Sequence, residues 1–131
     1  ALADWRAAQG VATLTPGGGA RAAVRRLRGG GHVALFVDQN TGDRGRDVGF
    51  LGRPAPTPAS FERLLAASGA RPLFAWTARD ADGAHRVHLE PVPSDAPPLE
   101  WVTARVEALV RAHPVQWVWL HDRWRPGTRR G

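Results

Sequence analysis

Residues 32–37 read HVALFV, a continuous apolar run of strand length that follows three glycines and ends on Asp38. A run with no polar side to offer water reads as a strand buried on both faces, and that burial needs helices above and below a sheet. The neighbouring segments can supply them. Residues 20–28 (ARAAVRRLR) set Ala20, Ala23, Val24 and Leu27 on one helical face and Arg21, Arg25 and Arg28 on another. In TPASFERLLAASGA, Thr57 suits an N-cap, Pro58 the first helical position and Phe61, Leu64 and Leu65 an apolar stripe, with Gly69 ending the helix. Residues 99–112 turn Val102, Val106, Leu109 and Val110 inward, residues 1–9 read as a helix stopped by Gly10, and Pro114 can open a last short helix.

Strands fall between these helices. Residues 72–78 (PLFAWTA) read as the next strand, the turn DADG (80–83) follows, and AHRVHLEPV alternates Arg86 and His88 with Val87 and Leu89, as a half-exposed strand does. VATL (11–14) suits a short strand, and residues 38–58 read as one long loop. Helices alternating with strands predict an α/β fold: a mainly parallel sheet flanked by helices, with an antiparallel hairpin at one end. At 131 residues the chain suits a single domain, 1–131.

All 18 basic residues are arginine, against 12 acidic ones, leaving a formal charge of +6. That field favours phosphates, an anionic membrane surface or an acidic protein. The absence of cysteine excludes disulfides, thiolate zinc sites and cysteine nucleophiles. No run is long enough to span a bilayer as a helix, and no secretory signal opens the chain. The chain opens at Ala1 in what reads as a helix, and the natural protein is expected to start earlier. Nucleic-acid binding rests on charge alone, because the tryptophans alternate with core-like residues instead of lining an arginine groove, so no nucleic-acid partner is expected.

Asp38, directly after the apolar run, can face a cleft, and Gln39 adds a donor and an acceptor; Asp38 can equally cap a turn or pair with a loop arginine. Arg44, Arg46 and Arg53 suit an anionic ligand, or they can pair with Asp43 and Asp47. The glycine run TPGGGARAAVRR looks like a phosphate cradle but lacks the lysine and Ser/Thr of a P-loop, and reads more readily as a loop before a helix. His85 and Glu90 have the His-x4-Asp/Glu spacing of a general base and its orienting carboxylate. In an alternating strand, however, positions five apart point to opposite faces, so the pair cannot meet. No spacing suggests a metal site and nothing calls for a cofactor.

The segments LTPGGGARAAVRRLRGGGHVALFVDQN, VGFLGRPAPTP, LLAASGARPLFAWTAR and HPVQWVWLHDRW, in this order, resemble the later part of the lipid A biosynthesis lauroyl/myristoyl acyltransferases, a branch of the lysophospholipid acyltransferase-like superfamily. The likeness covers nearly the whole chain. It makes Arg6 and Gly10 the family's Arg-x-x-x-Gly element and Asp38 and Gln39 its Asp-Gln. Phe50, Gly52 and Pro54 match its Phe-x-Gly-x-Pro, Arg79 the arginine after the next strand, and Gln116, Trp117, Trp119, His121, Arg123 and Trp124 its C-terminal signature. Val115 and Asp122 depart from the usual acidic and basic residues, and Leu51 from a usual aromatic.

By this resemblance the chain is part of a glycerolipid-acyltransferase-like domain, its C-terminal half. The implied activity is transfer of a fatty acyl group from acyl carrier protein, or another acyl thioester donor, to a hydroxyl of a lipid A precursor or related glycolipid. That chemistry belongs to lipopolysaccharide biosynthesis at the cytoplasmic face of the inner membrane, with the protein held peripherally or through a segment outside this chain. The family's catalytic His-x4-Asp/Glu lies upstream of the region represented here. The chain alone is therefore expected to be inactive and to need the missing N-terminal part of its domain. The resemblance puts Arg6, Asp38, Gln39, Arg53, Arg79, His121 and Arg123 at the substrate cleft, and Trp117, Trp119 and Trp124 in the scaffold. The alternative is a non-catalytic module derived from such enzymes that binds anionic lipid or an acidic protein.

Overall fold

The computed structural model of the protein describes residues 2–14, 18–40 and 45–125. In chain order these form α1 (Leu2–Ala8), α2 (Gly19–Arg28), β1 (Gly45–Phe50), β2 (Arg53–Pro58), α3 (Ser60–Ser68), β3 (Leu73–Arg79), β4 (His85–Pro91) and α4 (Pro98–Ala112), then a short 3-10 turn at Pro114–Gln116. Helices and strands are mixed along the chain, which is compatible with an α/β class, but they do not alternate one by one, and the strands form two separate two-stranded antiparallel sheets, β1 with β2 and β3 with β4. A mainly parallel sheet is not what these residues build. The reason is connection length, since tight turns join both pairs and a hairpin can only be antiparallel, whereas parallel neighbours need a crossover of a dozen or more residues.

Residues 32–37 do not form the buried strand that their composition predicts. They run without turn or bend but join no ladder, and Leu35 and Phe36 are exposed while Val33 and Val37 are half-buried. Nor are residues 38–58 one long loop: the described part from residue 45 on is a hairpin, and Thr57 and Pro58 close β2 instead of opening a helix. The helix that follows starts at Ser60 and stops, as read, at Gly69, whose φ of 68° lies in the left-handed region. Residues 11–14 form no strand and are exposed.

β2 carries Pro54, Pro56 and Pro58 at alternate positions, opposite Gly49, Asp47 and Gly45. Because the two-residue turn makes Phe50 and Arg53 a hydrogen-bonded pair, every second pair beyond it bonds across the ladder, and the three prolines fall at the positions between. Their missing donors would point away from β1, so this outer edge cannot accept another strand.

The turn residues Leu51 and Gly52 both have positive φ, 50° and 79°, as a two-residue hairpin turn demands. The Leu51 amide donates to Glu107 Oε2 at 2.6 Å, tying the turn to α4. That bond, followed by the Arg111 guanidinium, holds the Glu107 carboxyl below the usual carboxylate range. A folded-state value below the unfolded one means a contribution present in full above that range and lost as pH falls through it. Glu107→Ala is expected to cost roughly 1–2 kcal/mol near pH 7 and progressively less as pH falls below the usual carboxylate range. Urea unfolding midpoints of both proteins followed down through that range check this.

α4 joins the two hairpins, and Val106 packs against both core clusters. One cluster is Phe50, Ala55 and Val110 from the β1–β2 side; the other is Phe74, Val92 and Val102 from the β3–β4 side. Leu99, Val102 and Val110 are buried on α4, while Val106 and Leu109 are half-buried. Arg46 of β1 bonds Glu100 of α4 at 2.6 Å and Glu62 of α3 at 2.9 Å, and these carboxylates raise its pKa. Arg28 of α2 donates to the Ala67 carbonyl in the last turn of α3, holding those helices together.

The β3–β4 sheet is inverted with respect to water. Its face toward α4 carries Phe74, Trp76 and Ala78 but also Arg86, His88 and Glu90, with Trp76 and His88 stacked at 3.9 Å and Glu90 bonded to Arg105 at 2.6 Å. Its outer face carries Leu73, Val87 and Leu89, which are 63%, 66% and 67% exposed. A sheet with aliphatic side chains on its open face is built to be covered.

Candidate functional site

The C-terminal segment lies against the β1–β2 hairpin. Trp117 and Trp124 flank Phe50 with ring centroids 5.8 and 5.7 Å away, and the Trp124 indole donates to the Phe50 carbonyl at 3.3 Å. These two tryptophans are scaffold. Trp119 is not: it is 54% exposed, and its indole N–H bonds the Pro114 carbonyl at 2.7 Å.

Beside Phe50, Arg123 is only 2% exposed. Its guanidinium donates to the Thr57 hydroxyl at 2.6 Å and to the Pro56 carbonyl, and lies 5.7 Å from the Phe50 ring centre. Burial pushes its pKa down and the nearby Asp38 carboxylate pushes it back up. Pro56 and Thr57 belong to the strand whose outer edge the prolines close, and the guanidinium takes the place of a neighbouring strand there.

Asn40 makes the joint between the Asp38 segment and the C-terminal signature. Its Nδ2 lies within hydrogen-bonding distance of the Asp122, Arg123 and Arg125 carbonyls, at 3.1, 3.4 and 2.8 Å. Its backbone N–H donates to His121 Nε2 at 2.9 Å, so this imidazole is unprotonated at Nε2 and carries its proton on Nδ1.

Asp38 lines a cleft of about 1040 Å3. One wall is residues 30–38 and another is residues 70–78; Leu64, Val102 and Val106 also line it. The lining is mainly apolar, with polar groups from His32, Asp38, Arg71, Thr77, His113 and Gln116. Gln116 is fixed by two bonds to the backbone of Arg79, its Oε1 accepting from the amide at 2.9 Å and its Nε2 donating to the carbonyl at 3.0 Å.

The structure therefore brings together Asp38, His121, Arg123 and, through its guanidinium 5.4 Å from the Trp124 ring centre, Arg53. Gln39 is exposed beside them. Arg79 stands at the end of β3, bonded to Gln116, and Arg6 is on α1, which buries no residue. Arg46 is held by Glu62 and Glu100 rather than by Asp43 or Asp47, and Arg44 lies outside the described residues, as does residues 15–17 of the glycine run. His85 and Glu90 point to opposite faces of β4. Among the described residues no group of His, Asp and Glu side chains could hold a metal ion, and no helix is long and apolar enough to cross a membrane.

Two residues carry more of this arrangement than their sequence context suggests. Asn40 has no local pattern that announces partners more than eighty positions away. Thr57 reads as a helix cap, yet its buried hydroxyl accepts from Arg123.

No curated protein matches the sequence. The family model described as bacterial lipid A biosynthesis acyltransferase matches residues 2–126. That match contains the Asp38–Asn40 segment, the β1–β2 hairpin and the Trp-rich segment that the geometry joins, and the chain accordingly belongs to the bacterial lipid A biosynthesis acyltransferase family.

Proposed function

We propose that this chain is the C-terminal portion of an acyltransferase that moves a fatty acyl group from acyl carrier protein to a hydroxyl of a lipid A precursor or related glycolipid, at the cytoplasmic face of the inner membrane. The observation that carries this reading is Asp38 in the lining of a large, mainly apolar cleft, two residues before Asn40, which ties that segment to His121 and the C-terminal signature. In the reaction the acceptor oxygen attacks the thioester carbonyl, the carbon–sulfur bond breaks, the proton leaves the hydroxyl with a base, and the carrier departs as its thiol. Asp38 positions the acceptor or orders the loop at the cleft. Among the described residues no histidine is hydrogen-bonded to a carboxylate, the arrangement that would orient a base. The base then belongs to another segment of the enzyme, the same one that would cover the aliphatic face of the β3–β4 sheet.

Arg21 and Arg25 on the exposed side of α2 offer a surface for the acidic carrier, and no ion pair engages them among the described residues. Arg21→Glu with Arg25→Glu is expected to weaken binding of a lauroyl-loaded acyl carrier protein to this chain by about tenfold at low ionic strength, with the difference shrinking as salt is added. Fluorescence anisotropy measures it. In the same samples this chain alone transfers no acyl group to a lipid A precursor detectable by mass spectrometry, whereas the enzyme expressed from its complete coding frame does. Transfer by this chain alone contradicts the reading. A complete enzyme that binds the carrier and never transfers reduces the protein to a binding module.

A further inference from the structure

The segment after α4 folds on itself. The Gln116, Trp117, Trp119 and His121 amides donate to the His113, Pro114, Trp117 and Val118 carbonyls, and the Trp119 indole N–H closes the loop on the Pro114 carbonyl at 2.7 Å. Those polar groups are satisfied locally, and the apolar side chains are left outside. Val115 and Leu120 are 93% and 98% exposed, with Val118 and Trp119 also exposed between them. None of the four lines the cleft, and side chains standing so far out belong to no groove of this chain. They form a protruding apolar tip, and a tryptophan whose N–H is already satisfied enters an apolar phase without stranding a donor.

The tip stands at the Asp38 end of the cleft. Gln116 lines that cleft and clamps the backbone of Arg79 at the end of β3, while His121 receives the N–H of Asn40, two residues after Asp38. Arg79 and Arg125, on either flank of the tip, are exposed, and no ion pair engages them among the described residues. The carboxylates next to them along the chain are occupied, Asp80 by Arg86 and Asp122 by the Trp124 amide.

Resting on the reading that the enzyme works at a membrane surface, we propose that residues 115–120 are an interfacial anchor: Val115, Val118, Trp119 and Leu120 enter the headgroup boundary of an anionic bilayer, with Arg79 and Arg125 on its phosphates. Shape and charge both select this occupant. A convex tip needs a phase that deforms around it, which a bilayer is and a folded protein surface is not. Tryptophan is suited to the depth where apolar and polar layers meet, and unpaired arginines beside it draw anionic headgroups. Anchored this way, the Asp38 end of the cleft opens toward the bilayer, so a glycolipid hydroxyl reaches it while the lipid's own chains stay in the membrane.

The chain contains no cysteine, so Leu120→Cys gives a unique thiol for an environment-sensitive dye. On vesicles of phosphatidylcholine and phosphatidylglycerol in equal parts, its emission should shift to the blue and be quenched by nitroxide-bearing lipids. The same dye at Asp82→Cys, in the β3–β4 turn, should do neither. Val115→Asp with Leu120→Asp should weaken vesicle binding by about tenfold or more and leave the urea midpoint unchanged, because neither side chain is covered by the rest of the chain. A dye at position 120 that stays in water in the presence of these vesicles overturns the proposal, as does a double variant that binds them as tightly as the parent. So does an enzyme expressed from its complete coding frame in which that dye is already blue-shifted without lipid, because the occupant is then another protein segment. Acyl transfer by the complete enzyme separates the two claims. The double variant should lose turnover on acceptor embedded in vesicles and keep it on acceptor dispersed in detergent. Equal loss on both overturns the anchor alone, and an inserted dye without any transfer by the unsubstituted enzyme overturns the catalytic reading alone.

Discussion

Arg123→Ala should lower the unfolding free energy by about 3–5 kcal/mol, the largest single-residue effect in the chain. Three losses act together. The Pro56 carbonyl loses its charged donor, the buried Thr57 hydroxyl loses its guanidinium partner, and a space opens against the Phe50 ring. Asp38 also loses the cation whose field it feels. Arg123→Lys should recover little, since one ammonium cannot serve a carbonyl and a hydroxyl in the fixed geometry of the planar fork while lying on an aromatic ring. Arg123→Met keeps the stem packing and should fall between the two. Urea unfolding of the three variants decides it: equal midpoints for wild type and Arg123→Ala would show that the buried guanidinium does not hold the C-terminal segment.

The second large effect is at Asn40, where the direction of the dipole matters more than its size. Asn40→Ala removes the donor to three carbonyls and is expected to cost about 1–2 kcal/mol. Asn40→Asp should cost more, about 3 kcal/mol, because it faces a carboxylate toward the oxygens of Asp122, Arg123 and Arg125 and leaves those acceptors and the new charge opposed. The backbone bond to His121 survives either change, so the loss is specific to the side chain. Limited proteolysis after Trp117, compared between the variants, reports release of the segment. An Asn40→Asp protein as resistant as Asn40→Ala would refute the dipole argument.

Which parts of the fold were legible follows from how local their causes are. The β3–β4 hairpin has alternation and a turn within twenty residues, α3 ends at a glycine that adopts the left-handed conformation, and α4 repeats its apolar residues at helical spacing. β1 and β2 stayed hidden because three prolines and three glycines occupy their fourteen-residue stretch, a composition that argues for loop. The proline positions fit a strand only once the register is known. Residues 32–37 have the composition of a central strand but, among the described residues, no neighbours to pair with. Sequence can state that preference without supplying the partner. In the site, Asp38 was legible because a carboxylate at the end of an apolar run must go somewhere polar. Arg123 reads as a substrate contact by the resemblance, and its burial against Phe50, with bonds to Pro56 and Thr57, is a long-range outcome.

The most direct test of the account is the turnover of the complete enzyme with Asp38→Asn, assayed as acyl transfer from a loaded acyl carrier protein to a lipid A precursor. Loss of the carboxylate should reduce kcat on the order of tenfold to a hundredfold by misplacing the acceptor, with carrier binding unchanged. Full turnover by a folded Asp38→Asn enzyme would contradict the role proposed for Asp38 at the cleft.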